Sequence, residues 1–179
     1  MSPPDRRRVW LVSACLLGER CRYDGAPAKD DARAKLTLLE GEEVVPVCPE
    51  VLGGLPTPRT PAQIVGGEGG DVLDGEARVV DEEGRDVTEA FLTGAARALE
   101  IAQRHGATHA CLKAKSPTCG HGQIHAPSGL VPGNGVAAAR LERAGLRVLS
   151  EDELASSGLP VARDVEEHDP VISLGDEVR

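Results

Sequence analysis

Short apolar runs recur along the chain, and they are continuous rather than alternating with polar positions. Four of them have the length of strands and occupy residues 8–13, 43–47, 109–113 and 146–149. An apolar strand without alternation is typical of a sheet that is covered on both faces. The pattern therefore predicts a parallel sheet packed between helices.

Two segments between these runs, 87–104 and 135–144, have the spacing of helices. In the first, apolar residues recur at helical intervals at Leu92, Ala95, Ala96, Leu99 and Ala102. Asp86 and Thr88 are candidate caps for its start, and Gly106 is a stop signal. The alternation of strands and helices predicts an α/β fold, a single-domain three-layer sandwich with a mainly parallel central sheet. In such folds the ligand site lies at the C-terminal edge of the strands.

The remaining segments are arranged around this predicted core. Residues 64–85 are rich in glycine and acids with short apolar islands, which indicates a hairpin or an excursion from the sheet. A chain of 179 residues is long enough to bury roughly 70% of its unfolded surface in one core. We therefore expect an N-terminal extension at 1–8, one domain at 9–153 and an acidic C-terminal extension at 154–179.

Charge and aromatic content exclude some functions. The formal net charge is -9, and residues 151–179 contribute most of it with nine acids against two bases. A near-neutral body without a basic stripe is not expected to bind nucleic acid unless a partner delivers it. Trp10, Tyr23 and Phe91 are the only aromatic residues, which excludes a binding wall of stacked rings. Trp10 and Phe91 fall in predicted core elements, whereas Tyr23 lies near the cysteine motifs.

The N-terminal segment resembles a lipoprotein leader only superficially. An arginine run at 6–8 precedes an apolar segment that ends before Ser13 and Cys15, but this segment has only four residues. A signal sequence needs an apolar region of about 7–15 residues, so the segment is interpreted as a buried strand. No other run approaches the roughly 20 apolar residues of a membrane helix. Together with an odd count of five cysteines, these features predict a cytoplasmic protein without a membrane partner.

Three of the cysteines follow predicted strands. Cys15 comes after the first strand, Cys48 ends the second, and Cys119 lies in the loop after the third. Their separations of 33 and 71 residues match no local zinc-ribbon or ferredoxin spacing. Because parallel strands bring their C-terminal ends to one edge of a sheet, we expect the three thiols to converge there.

Converging thiolates without a nearby histidine favour a soft metal site. Three sulfurs and a water would suit zinc, whereas a 4Fe-4S cluster with three ligands would leave one iron exposed, and the residues alone leave both open. Cys111, inside a predicted strand, is interpreted as a buried core residue. Cys21 remains open as a fourth ligand, a resolving thiol or a packed side chain.

Polar residues near these cysteines are candidates for catalysis. Glu50, two residues after Cys48, is a candidate general base or acid beside a metal, and the alternative is an exposed loop acid. Lys113, Lys115 and Ser116 line the approach to Cys119. Two of only four lysines in the chain fall here, which points to an anion or a polarised carbonyl as the target.

Arginine, histidine and glycine residues nearby have two interpretations each. Arg59 is predicted either to clamp a substrate or to begin a helix after Pro58. His121 and His125 are candidate ligands or bases, or exposed loop residues. Three glycines before the second predicted helix offer N–H groups that could receive an anion, namely Gly129, Gly133 and Gly135.

Six strings occur in the same order as in a known bacterial family. They are SACLLG at 13–18, CRYDG at 21–25, VCPE at 47–50, GGLPTPR at 53–59, DVT at 86–88 and LKAKSPTCG at 112–120. From about residue 9 to 153 the chain resembles a widespread domain family, formerly of unknown function, that includes the 2-thiouracil desulfidases. Thr118 stands where this family commonly has serine, and Gln63 where it commonly has glutamate.

The resemblance implies an iron-sulfur enzyme. Its 4Fe-4S cluster would be held by the three matching cysteines, Cys15, Cys48 and Cys119. Glu50 matches the glutamate assigned to catalysis, and Ser116 matches the serine of the Ser-Pro-x-Cys-Gly loop.

The activity that this resemblance implies is removal of sulfur, as hydrosulfide, from a small thiolated pyrimidine such as 2-thiouracil, without net redox change. In that reaction Glu50 would activate water, and Ser116 or Lys113 would steady the developing charge. The alternatives are a non-hydrolytic metal or iron-sulfur module that acts as a sulfur carrier or redox sensor, and a desulfidase acting on thiouridine in transfer RNA.

Overall fold

The computed structural model describes residues 7–158, and most of the expected extensions at 1–8 and 154–179 lie outside this range. The elements follow in chain order as β1 (Val9–Ser13), α1 (Asp30–Ala34), β2 (Glu43–Val47), α2 (Pro49–Leu52), β3 (Ala62–Val65), α3 (Gly69–Leu73), β4 (Arg78–Asp81), α4 (Thr88–His105), β5 (His109–Leu112), β6 (Gln123–Ala126), β7 (Gly129–Pro132), α5 (Val136–Arg143), β8 (Arg147–Ser150) and α6 (Glu151–Ser156). Single 3-10 turns occupy Ala14–Leu17 and Lys35–Leu39. None of the helices within residues 7–158 has both the length and the apolar character needed to cross a membrane.

The central sheet is parallel throughout, as predicted. Its strand order is β2-β1-β5-β8, and each neighbouring pair runs in the same direction. Ser13, the last residue of β1, is in register with Val47, the last residue of β2. All four C-terminal ends therefore meet at one edge of the sheet, and the predicted α/β fold class is confirmed.

Both faces of the sheet are buried, which explains the unbroken apolar runs. Successive strand residues point to opposite faces, so Leu11 belongs to one core and its neighbours Trp10 and Val12 to the other. The first core packs against α4 and α5 through Ala98, Leu99, Ala102, Ala138 and Leu141. The second packs against α1, the following turn and α6 through Ala32, Leu39 and Leu154, and against Ala28 just before α1. Cys111 is fully buried in this second core, as predicted.

Helix α4 begins and ends where its sequence signals indicate. The Thr88 N–H donates to Asp86 Oδ1 at 2.9 Å, and Gly106 ends the helix with a φ of 68°. Phe91 faces inward with 1% exposure. It packs in a third apolar cluster with the antiparallel pair β3 and β4 and with the hairpin of β6 and β7. The pair of β3 and β4 lies largely in the segment 64–85, for which a hairpin or an excursion was predicted. The hairpin of β6 and β7 was not predicted.

Helix α2 lies against α4 at a contact that only glycine allows. A Cβ at Gly94 would overlap the carbonyl oxygen of Pro49, and a Cβ at Gly53 would overlap that of Ala90. The two backbones therefore touch without side chains between them. This contact fixes the position of α2, which directly follows Cys48.

Candidate active site

Three chain segments bring thiols to the carboxyl edge of the sheet. Cys15 lies in the 3-10 turn after β1, Cys48 immediately follows β2, and Cys119 lies in the loop after β5. Together with Cys21 they line one pocket with about 270 Å³ of empty volume. All four side chains are buried. We call this cavity, defined by its four cysteines, the thiol pocket.

Cys21 is in direct contact with two of the other thiols. Its side chain shares hydrogen bonds with Cys15 and with Cys48, and the contact to Cys15 raises the pKa of Cys21 to about 12. The Cys48 thiol also approaches the Cys21 carbonyl oxygen, at 3.7 Å. The hydrogen bond with Cys21, followed by burial, raises the pKa of Cys48 as well. The net effect of these surroundings favours the protonated form of the Cys21 and Cys48 thiols.

A serine that the sequence interpretation did not consider connects Cys119 to the sheet. Burial raises the pKa of Cys119, and a hydrogen bond from the Ser13 side chain offsets part of this effect. Ser13 Oγ also accepts the Lys113 N–H at 2.9 Å. A serine that ends a fully apolar strand is the one sequence signal that could have identified this role.

The loop that carries Cys119 is held from two sides. Ser116 Oγ accepts the N–H groups of Thr118 at 3.2 Å and of Cys119 at 3.1 Å. On the other side the first turn of α5 donates to the carbonyl oxygens of Pro117 and Thr118, and a Cβ at Gly135 would collide with the Thr118 backbone. The loop therefore has little freedom to move Cys119.

Glu50 and Arg59 form a partly buried ion pair at the pocket wall. Arg59 Nη2 donates to Glu50 Oε2 at 2.7 Å and to the Cys21 carbonyl oxygen at 2.8 Å. The side chains of Arg59 and Glu50 are 5% and 17% exposed. Burial lowers the pKa of Arg59, but Glu50 and the nearby thiols raise it by more. Of the two interpretations of Arg59, the helix start is wrong, because Arg59 lies in an irregular segment and binds Glu50 instead.

A larger cleft opens beside the thiol pocket, with about 1120 Å³ of space that includes open solvent. Its lining includes Glu50, Lys113, Lys115, Ser116, Arg22, Tyr23, Gln63, Glu82 and His125. Glu50 and Arg22 line both cavities. The Glu50 carboxylate therefore lies where the cleft meets the thiol pocket. Tyr23 is 42% exposed, with the Arg22 guanidinium 5.7 Å from its ring centre.

Lys113 reaches the cleft but its ammonium is already paired. Lys113 Nζ lies 2.9 Å from Glu151 Oε1, and the other oxygen of Glu151 accepts the Ala114 N–H at 2.7 Å. Glu151 is 1% exposed, so the pair stabilises the start of α6 against the end of β5. Its neighbour Lys115 adopts a φ of 70°, which is unusual for a residue with a side chain.

The other candidates lie away from the thiol pocket. His121 binds Glu153 and Glu142, each at 2.7 Å, and does not line the pocket. Of the three glycines proposed to receive an anion, Gly133 faces the Glu68 carboxylate, which would repel one. Gly135 instead allows α5 to approach the Cys119 loop.

Fold and site together define an α/β protein with a sulfur-lined pocket at the carboxyl edge of a parallel sheet. The chain belongs to the 2-thiouracil desulfurase family, which it matches over residues 10–153. Family membership supports an enzyme and confirms the resemblance drawn from the motifs.

Two relatives cover nearly all of this domain. A Bacillus subtilis (strain 168) protein, described as "Uncharacterized protein YbbK", is 48% identical over 147 residues, which is 80% of this chain and 96% of that protein. A solved structure described as "[4Fe-4S]-dependent thiouracil desulfidase TudS" is 40% identical. Its TM-score is 0.68, and the match covers 84% of this chain and 95% of that one.

Proposed function

We propose that this protein is a desulfidase that removes sulfur, as hydrosulfide, from a thiolated pyrimidine such as 2-thiouracil, with a 4Fe-4S cluster as its cofactor. The observation that carries the proposal is the position of Glu50. Its carboxylate lies between a pocket of buried thiols and a cleft that is large enough for a pyrimidine. Family membership and the described cofactor of the related structure support the same conclusion.

The residues of the thiol pocket fit an iron-sulfur cluster. We assign Cys15, Cys48 and Cys119 as its ligands, because each follows a strand of the central sheet and presents sulfur, the ligand type that iron-sulfur clusters use. When bound, the cluster would supply a Lewis-acidic iron for the thiocarbonyl sulfur.

The chain's own residues would carry out the proton transfers. Glu50 is the general base that takes a proton from the attacking water, because an ionised carboxylate is an acceptor within reach of both cavities. Ser116 lines the cleft, and its oxygen already accepts two backbone N–H groups. Its O–H is therefore oriented to donate to the substrate as charge develops. Lys113 contributes a positive group in the same cleft, and Glu151 holds it in place.

The proposed substrate is a small molecule. The cleft has one aromatic residue, Tyr23, and nucleic acids are usually bound with several stacking rings and a basic groove. The net charge of -9 opposes binding of a polyanion. The same assay run with thiouridine and with thiolated transfer RNA distinguishes these substrates, and we expect turnover of the free base.

The test is anaerobic reconstitution followed by iron, sulfide and turnover measurements. Wild type should bind iron and release sulfide from 2-thiouracil, whereas Cys15→Ser, Cys48→Ser and Cys119→Ser should lose iron. Glu50→Gln should keep its iron and lose about 10²–10⁴-fold in turnover, the usual contribution of a general base. Glu89→Gln is the matched control, because Glu89 is also an acid in the first turn of a helix but is exposed.

Three outcomes would contradict the proposal. Wild type that binds no iron would exclude the cofactor, and a loaded protein that releases no sulfide would exclude the activity. A Glu50→Gln variant as active as Glu89→Gln would exclude the role of Glu50, and it would favour a module that binds a cluster without hydrolysis.

A further inference from the structure

The guanidinium of Arg59 makes all its possible hydrogen bonds but one. An arginine has five N–H donors in a rigid planar fork. Nη1 donates to the Pro56 carbonyl oxygen at 3.2 Å and to Thr57 Oγ1 at 3.1 Å. Nη2 donates to the Cys21 carbonyl oxygen at 2.8 Å and to Glu50 Oε2 at 2.7 Å. The fifth donor, Nε, is buried and has no partner among residues 7–158.

The side chain that carries this unpaired donor lines the thiol pocket. Arg59 lines the pocket together with the four cysteines, and its side chain is only 5% exposed. In the planar fork, the Nε hydrogen shares an edge with Nη2, the nitrogen that binds the Cys21 carbonyl. The edge that carries the free N–H therefore faces the Cys21 and Glu50 side of the pocket. Buried N–H groups without an acceptor are rare in native proteins, so the occupant of the pocket is expected to accept this bond.

We propose that Arg59 has two functions at this site: its Nη2 positions the Glu50 carboxylate, and its Nε–H donates a hydrogen bond to a sulfur atom of the bound cluster. This inference rests on the proposed cofactor. Sulfur is the acceptor because the pocket is formed largely by thiols, and a cluster bound there presents anionic sulfur to its walls. Arg59 is thus a positioning residue for Glu50 and a regulator of the cluster's reduction potential.

The expected effect follows from charge. A reduced cluster is more negative than an oxidised one, so a cationic N–H donor stabilises the reduced form more. Arg59→Gln removes both the charge and the planar fork, and it should make one-electron reduction at least tenfold less favourable, a shift of about 59 mV to lower potential. Arg59→Lys keeps the charge and loses the fork, and we expect an intermediate value.

A matched control separates this bond from a general loss of positive charge. Arg22 lines the same pocket, but its side chain is 27% exposed, so solvent screens its charge. Arg22→Gln should therefore shift the potential much less than Arg59→Gln. All variants are first compared by thermal unfolding and iron content.

The measurement is an anaerobic redox titration of the reconstituted protein without substrate, followed by visible absorption and electron paramagnetic resonance. A lower potential in Arg59→Gln than in wild type and Arg22→Gln supports the proposal. A potential equal to that of wild type or of Arg22→Gln overturns it. If Arg59→Gln does not retain iron, the same comparison is decided with Arg59→Lys. Sulfide release by wild type is measured separately, so a failed activity and an absent hydrogen bond give different results.

Discussion

Adding one methyl group to α4 should disturb the candidate active site through the packing of α2. In Gly94→Ala the new Cβ would lie well inside the 3.0 Å limit of real contacts to the Pro49 carbonyl oxygen. The obstacle is backbone, which cannot rotate away as a flexible side chain would. Helix α2 must therefore shift, and it carries Glu50 in its first turn and directly follows Cys48.

The expected loss of stability combines two opposing effects. Overpacking in a core costs about 1–3 kcal/mol, whereas replacing glycine by alanine within a helix contributes roughly 0.5–1 kcal/mol in favour of folding. Because the obstacle is backbone, the upper half of the overpacking cost applies, about 2–3 kcal/mol, and the net destabilisation is about 1–2 kcal/mol. In a domain of this size each kcal/mol lowers Tm by about 2–4 °C. We therefore expect a decrease of roughly 2–8 °C, measured by circular dichroism or calorimetry.

The expected loss of activity is larger than the loss of stability. A displacement of about 1 Å of a reacting group can cost roughly 10²-fold in rate, and the shift of α2 needed to relieve the overlap is of this size. Sulfide release should therefore fall by about this factor at temperatures where the variant is still folded. Glu100→Ala is the control, because Glu100 lies on the exposed face of the same helix. If Gly94→Ala matched this control in both Tm and turnover, the backbone contact would not position α2; an equal turnover alone would refute the coupling to Glu50.

Three further predictions concern the supports of the site. Gly135→Ala should reduce the iron content, because its Cβ would displace the loop that carries Cys119. Glu151→Gln should lower the free energy of unfolding by about 1–3 kcal/mol. This is less than the loss expected on breaking a fully buried ion pair, because Lys113 is partly exposed. Asp81→Asn should lower Tm at neutral pH, because burial raises the pKa of Asp81 but three N–H donors of its own turn lower it by more. Because the pKa of Asp81 in the folded protein is below its ordinary value of 3.8, the ionised carboxylate stabilises the fold above that pH. This stabilisation is lost as acid protonates the carboxylate, so the Tm difference should vanish as the pH falls below 3.8.

Each of these predictions has a neighbouring control. The control for Gly135→Ala is Arg140→Ala, on the exposed face of α5, which should keep its iron. If the two variants held equal amounts of iron, the Cys119 loop would tolerate the methyl group added at Gly135. The control for Glu151→Gln is Asp152→Asn, which breaks only the exposed pair with Lys35. It should lower the free energy of unfolding by less than about 1 kcal/mol. The control for Asp81→Asn is Glu83→Gln, which alters the same turn but keeps the carboxylate oxygens of Asp81 as acceptors. A Tm difference for Asp81→Asn that persisted in acid would rule out the ionised carboxylate as its source.

The sequence was most informative where structure depends on local pattern. The predicted strand 43–47 has the same bounds as β2, because residues 44–47 are apolar without alternation and both faces of the sheet are covered. Helix α4 was predicted within one residue at each end, since Asp86 and Gly106 are local signals. The hairpin of β6 and β7 was missed because its exposed residues follow no strong period and it packs on a third cluster formed by distant segments.

The convergence of Cys15, Cys48 and Cys119 was also accessible to sequence reasoning, because parallel strands share one carboxyl edge whatever their order. The hydrogen-bond partners of the site were not. Ser13 binds the backbone of Lys113, 100 residues away. Its place at the end of an apolar strand marks Ser13 itself, but no local pattern indicates its partner. Arg59 is a second example. The motif that contains it is compatible with a helix start, and only the fold places its side chain against Glu50.

These long-range pairs also change the interpretation of the substrate. The lysines near Cys119 suggested an anionic target or a polarised carbonyl, but the structure balances the positive groups around the cleft. The cations at or beside it are Arg22, Arg59, Lys113 and Lys115, and the carboxylates are Asp24, Glu50, Glu82 and Glu151. An evenly balanced cleft gives little attraction to a phosphorylated nucleotide. It suits the neutral thiocarbonyl substrate proposed above, whose recognition would depend on soft sulfur binding at the thiol pocket and on hydrogen bonds in the cleft.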